Sequence, residues 1–238
     1  MSTPQRVNEY GQPIGEALPG WTPRPVPEQR TFEGRTCCLE RLDADRHGED
    51  LLRAFADAPA TLWTYLPVGP FPTREEHLAL LAENAVSAEY LHHAAVVVPE
   101  HGAVGTLSLM RVNPTEGTIE IGWVCFSPVL QRTTASTEAH FLLMRHAMDD
   151  LGYRRLAWRC DHLNAPSRAA AERLGYTFEG TFRNATVYKG RSRDTDWLSV
   201  TDAEWPALRE RIEAWLSPEN FDDVGVQRQR LRDVGARL

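Results

Sequence analysis

The chain has 238 residues, of which 42% are hydrophobic and 25% charged, with a formal net charge of −7. Those values fit one ordinary globular domain; no apolar run approaches the roughly 20 residues of a membrane span. The acidic balance argues against sequence-independent attraction to phosphate backbones, so neither nucleic acid nor membrane is expected as a partner.

The polar, Pro-rich start from Met1 to Arg6 carries no secretory apolar stretch, and the expected compartment is the cytoplasm. Residues 1–35 hold Pro19-Gly20-Trp21 and Pro23-Arg24-Pro25-Val26-Pro27 without helical or strand period, which predicts an extended arm. Tyr10, Ile14 and Trp21 are unusual for a disordered tail. They are expected to tether the arm to the domain or to a second subunit, which would make a homodimer; disorder is the alternative. A domain over 36–202 and a C-terminal helix with a polar tail over 203–238 complete the expected division.

Cys37 to Leu42 reads as a strand, after which Asp43 or Asp45 can cap a helix carrying Leu51, Leu52 and Phe55. Leu62 to Pro72 is rich in aromatics with little regular pattern, and its Trp63, Tyr65 and Phe71 suit a cleft wall or a core equally. Thr73, with Glu76 in the reciprocal position, starts a helix running to about Ala88. Tyr90–Val98, Ala103–Arg111 and Thr118–Phe126 are predicted strands with short connections at Pro99-Glu100-His101-Gly102 and Asn113 to Gly117, hence an antiparallel meander.

The hydroxyl-rich turn Val129 to Ser136 then leads into a helix with Ala135, Ala139, Leu142, Leu143 and Ala147 on one face. Gly152 stops it and Arg155–Cys160 is the next strand, which completes a βαβ unit whose helix start attracts anions. Asn164 caps a short helix; Tyr176–Phe182 and Asp196–Thr201 are further strands joined by the basic segment Lys189 to Arg193, and Trp205–Leu216 is a terminal helix. Cys37, Cys38, Cys125 and Cys160 lack paired spacing and read as reduced thiols. His92-His93 and His140 with His146 lack ligand spacing, so no metal is expected.

Glu120-Ile121-Gly122-Trp123, Gln131 to Ala139, Asn164-Ala165-Pro166-Ser167 and Glu172 to Gly180 together resemble the GNAT N-acetyltransferases. The order and spacing hold across 36–202, and the branch that acetylates ribosomal-protein N-termini is the most alike. The resemblance implies a single α/β domain with a mixed, twisted sheet of six to seven strands flanked by helices. It further implies an acyl-CoA-dependent enzyme moving an acetyl group from acetyl-CoA to a primary amine of a small molecule or peptide.

In that family the pyrophosphate is held by the loop matched here by Gln131, Arg132, Thr133, Thr134, Ala135 and Ser136. Thr134 and Ser136 stand where glycine or alanine is expected; the hydroxyls of Thr133, Thr134, Ser136 and Thr137 and the charge of Arg132 are the expected substitutes. The bland reading of this loop is an ordinary helix cap. Asn164 matches a residue that contacts the donor, and Ser167 one near the thioester sulfur. Glu120, eleven residues before Gln131, matches the glutamate that acts as general base in histone-type members. Strand alternation puts Glu120, Gly122, Val124 and Phe126 on one face, where partial burial would raise the carboxyl pKa; a structural ion pair is the competing role. The resemblance also implies that Trp63, Tyr65 and Phe71 help choose the acceptor. Asn184 to Tyr188 lacks the acid often found there in the ribosomal-protein branch. A longer acyl donor, or an acyl-CoA-binding module without turnover, are the alternatives.

Overall fold

The computed structural model of the chain describes residues 6–97 and 102–235. Outside it lie residues 1–5 and 236–238, and the expected strand end at Val98 with the turn Pro99-Glu100-His101. Eight strands form one sheet in the order β1-β2-β3-β4-β5-β6-β8-β7. In chain order they are β1 (Phe32–Glu33), β2 (Cys38–Arg41), β3 (Leu91–Val97), β4 (Gly102–Asn113), β5 (Thr118–Phe126), β6 (Arg155–Asp161), β7 (Thr177–Tyr188) and β8 (Arg191–Thr201). The helices are α1 (Ala44–Phe55), α2 (Arg74–Ala85), α3 (Thr134–Arg145), α4 (Ala165–Arg173) and α5 (Trp205–Leu216).

The count exceeds the expected six to seven because β1 lies inside the stretch read as an arm. Its two residues pair with Leu39 and Cys38 and are too few to show a period. β7 and β8 also run past their expected limits, since they form a single hairpin around Lys189 and Gly190. Both of those residues take positive φ, 48° and 70°, as a type I′ turn demands. The polar segment around the turn faces solvent on an edge, so no apolar alternation marks it as strand.

Asp43 caps α1 by accepting from the N–H groups of Asp45 and Arg46, and Thr73 caps α2 by accepting from that of Glu76. α3 is buried around most of its circumference because the sheet covers one side and α5 the other. The main core lies between that pair and one sheet face, with Leu107, Ile119, Leu143, Leu156 and Ile212 fully buried. A smaller core under α1 and α2 covers the other face. Glu138 on α3 fastens the entering chain: its carboxylate accepts from the N–H groups of Arg35, Thr36 and Cys37 and from the Thr36 hydroxyl, at 2.5–3.2 Å.

The arm is fixed at several points: Arg24 N–H donates to the Pro114 carbonyl at 2.9 Å, the Tyr153 hydroxyl donates to the Pro25 carbonyl at 3.0 Å, and Phe32 and Glu33 pair with β2. The Trp21 indole N–H donates to the Thr115 carbonyl at 2.9 Å, and its ring fills the space beside Gly117 that a Cβ would occupy. Tyr10 and Ile14, in contrast, are exposed on the single chain. Among the described residues no helix is long and apolar enough to cross a membrane, and all four cysteines are free.

Candidate active site

The sheet's one parallel pairing creates the site. β5 and β6 are in register only from Thr118 with Arg155 to Glu120 with Ala157, and beyond that point the strands diverge. β5 also bulges: Gly122 pairs with Ser108 and Cys125 with Thr106, so Trp123 and Val124 together face the single residue Leu107. Trp123 has φ +50°, and the bulge reverses the alternation. This corrects the expected face. Phe126 joins Ile119 and Ile121 in the main core, whereas Glu120 and Gly122 lie on the opposite side of the sheet. A Cβ at Gly122 would displace the Met110 thioether packed against it there.

The divergence opens a cleft of about 2180 Å³. Glu120, Tyr65, Gln131, Arg132, Thr133, Thr134, Ser136, Asn164 and Ser167 all line it. Ala135 is buried beneath the loop, and Trp63 and Phe71 belong to the smaller core, where both pack around His77. Of the three aromatic candidates, Tyr65 is thus the one whose side chain reaches the cleft.

Glu120 is buried and sits among charges rather than the expected apolar neighbours. One oxygen accepts from Arg111 Nη1 at 3.1 Å and the other from Arg159 Nε at 2.5 Å. Burial raises its pKa, and the two guanidiniums oppose that rise without cancelling it. Neither arginine was singled out from the sequence. Arg159 left a signal, since it is the lone charge inside Leu-Ala-Trp-Arg-Cys; Arg111 did not, because it takes φ +47° at a second bulge and leaves the face that alternation assigns.

At the other end of the cleft, Arg132 occupies the left-handed region with φ +62°, a conformation that costs an arginine about 1 kcal/mol. The glycine substitutes divide into two groups. Thr133 donates its hydroxyl to the Leu130 carbonyl and accepts from Ser136 N–H, while Ser136 donates to the Thr133 carbonyl; these hydroxyls build the turn. The Thr134 and Ala135 N–H groups remain as the open start of α3, with Arg132 beside them. Arg173, which also lines the cleft, donates to the Thr137 hydroxyl. A free helix start flanked by two guanidiniums fits a pyrophosphate.

Between the two ends, the Asn164 side chain caps α4 by accepting from Ser167 N–H at 3.2 Å. The Trp158 indole N–H donates to Ser167 Oγ at 3.1 Å, which leaves the serine proton free to be donated. The hairpin tip is tied to the segment before α2: Lys189 Nζ donates to the Trp63 and Val68 carbonyls at 2.8 and 3.0 Å. Among the described residues no group of His, Cys, Asp or Glu is gathered as a metal would require.

The family model of the acetyltransferase (GNAT) domain matches residues 37–177. The structure of a GCN5-related N-acetyltransferase from Brucella melitensis is similar with a TM-score of 0.88 and 45% identity, covering 91% of this chain and 99% of that one. A probable acetyltransferase of the GNAT family from Chromobacterium violaceum is similar at 0.75 and 40% identity, covering 82% and 98%. An acetyl transferase from Salmonella typhimurium, which modifies the N-terminal serine of a 50S ribosomal subunit protein, shares the fold at 0.61 and 20% identity, covering 72% and 99%. None of the curated proteins matches the chain. With the family's domain spanning more than half of its length and its fold shared over 91% of the chain with a 45% identical relative, the protein belongs to the GNAT acetyltransferase family and is an acyl-CoA-dependent N-acyltransferase.

Proposed function

We propose that the protein moves an acetyl group from acetyl-CoA to a primary amine where β5 and β6 diverge, with Glu120 as the proton acceptor. Acetyl rather than a longer acyl group is supported by the names of the Brucella and Chromobacterium relatives. The ribosomal-protein enzyme, at 20% identity, supports the fold and not its acceptor. The observation that carries the reading is a buried carboxylate of raised pKa lining the same cleft as an open helix start.

Acetyl-CoA, when bound, supplies a thioester whose carbonyl carbon accepts the amine nitrogen as the C–S bond breaks. The N–H groups of Thr134 and Ala135, with Arg132 and Arg173, hold its phosphates. Glu120, kept in place by Arg111 and Arg159, takes the proton that the amine loses, through one water. Ser167 donates its hydroxyl hydrogen bond toward the departing sulfur, and the proton returns from solvent. Trp158 and His140 stack beneath this point with ring centroids 5.2 Å apart and keep it dry.

Glu120→Gln keeps the shape and removes the base. The expected result is a fall in kcat/KM of ~10²-fold, loss of the acidic limb of the pH–rate profile, and unchanged acetyl-CoA affinity. Because burial raises the carboxyl pKa, the wild-type limb lies above the ordinary carboxylate range. Wild-type turnover with the same limb in the variant reassigns Glu120 to structure.

A further inference from the structure

The region around Glu120 holds more cationic donors than the protein satisfies. Arg159 on β6 pairs across to Trp197 on β8 and Asp161 to Thr195, so period-two alternation brings Arg159, Trp197, Thr195 and Arg193 onto one face. Glu120 lies on that same face through its register with Ala157. Its single negative charge faces two guanidiniums, and Arg159 spends only its Nε on the pair. The Arg159 guanidinium lies 4.2 Å over the Trp197 ring, which fixes its plane, and the residue lines the cleft with its Nη groups outside the Glu120 pair.

Arg193 forms no ion pair among the described residues, and its Nε and the Trp197 Nε1 are buried without partners. Asp161, the other nearby acid, accepts from the Tyr188 hydroxyl at 2.7 Å and from Leu163 N–H at 2.8 Å, and these neutral donors leave its charge in place; Arg111, Arg159 and Arg193 still outnumber Glu120 and Asp161 by one. Burial first, and then the charges of Arg111 and Arg193, lower the pKa of Arg159, which marks all three as close neighbours. The donor cannot satisfy this excess. Its negative charges sit on phosphates at the α3 end, whereas an acetyl thioester and the amide arm that carries it are neutral.

Resting on the acetyl-transfer reading above, we propose that the acceptor is an amine bearing an anionic oxyacid group, a carboxylate or a phosphate, which seats on Arg159 and Arg193 beside Glu120. Planar guanidinium forks bind such groups in bidentate fashion, and the anion holds the amine against the carboxylate that deprotonates it. Cationic acceptors such as polyamines meet two arginines in the same place and are disfavoured.

The test uses matched amines: amino acids against their decarboxylated counterparts, and phosphoethanolamine against ethanolamine, following thiol release with acetyl-CoA. The expected result is at least about a tenfold higher kcat/KM for one anionic member over its neutral-tailed partner, with the carboxylate and phosphate pairs telling which group is read. Equal rates within both pairs, or preference for the uncharged tail, overturn the proposal. Thiol release with no amine at all counts against the transfer reading, and binding then decides this one separately. By calorimetry with CoA present, the anionic amines bind wild-type protein and bind Arg193→Gln at least about tenfold more weakly. Equal binding by the two proteins, or none by either, overturns the anion site.

Discussion

At the scale of single residues, the site depends on how each polar atom's second capacity is used. Ser167 has an ordinary hydroxyl, too weak an acid to protonate a thiolate unaided. The Trp158 N–H fills one of its acceptor positions, so the hydroxyl hydrogen points elsewhere by default. Ser167→Ala is therefore expected to lower kcat by roughly 10- to 100-fold, the equivalent of one hydrogen bond to a charged group, with little change in acetyl-CoA affinity. Pre-steady-state thiol release reads this directly. An unchanged chemical step would return Ser167 to its role in the α4 cap region, where Asn164 already accepts from its N–H.

At the scale of elements, the β7–β8 hairpin lines one side of the cleft, the side where the proposed acceptor would sit. Its tip is held by one ammonium, Lys189, shared between two carbonyls of the segment that also presents Tyr65 to the cleft. Lys189→Met keeps the apolar stem and removes both bonds. The acceptor KM is expected to rise about tenfold, the equivalent of one hydrogen bond to a charged group, while acetyl-CoA affinity at the distant α3 start stays the same. Equal changes in both constants would mean that the hairpin supports the whole domain rather than one wall. Glu138 is the corresponding fastening on the other side, tying the Arg35–Cys37 entry to α3.

At the scale of the whole molecule, several histidines lie in the interior, and burial shifts three of them far from the ordinary value. His92, His93 and His140 are each lowered from 6.5 to about 4, in every case chiefly by burial. An unfolded chain binds protons at these rings near the ordinary value and the folded chain does so only near pH 4. Their stabilising effect is thus fully present above about 6.5 and is lost as the pH falls toward about 4. Thermal unfolding should show Tm falling steeply between pH 6.5 and pH 5, and His140→Phe should flatten part of that slope. A level Tm across this interval would mean that the rings protonate without opening the core.

The sequence alone determined the elements whose signals are local: β5 ending at Phe126, the hydroxyl turn opening α3, the Asn164 cap, the α5 stripe. Each is written in neighbouring residues, as period, cap or turn. That Glu120 and the Gln131–Ser136 loop belong to one site came from the family resemblance, and both line one cleft. What only the tertiary structure decided were the residues brought in by departures from period. The bulges that place Trp123 and Arg111 at positive φ reverse strand parity, and no local pattern announces them. Arg159, Arg193 and Lys189 gain their places from strand order, since β8 lies between β6 and β7, and pairing between distant strands is written in no local period.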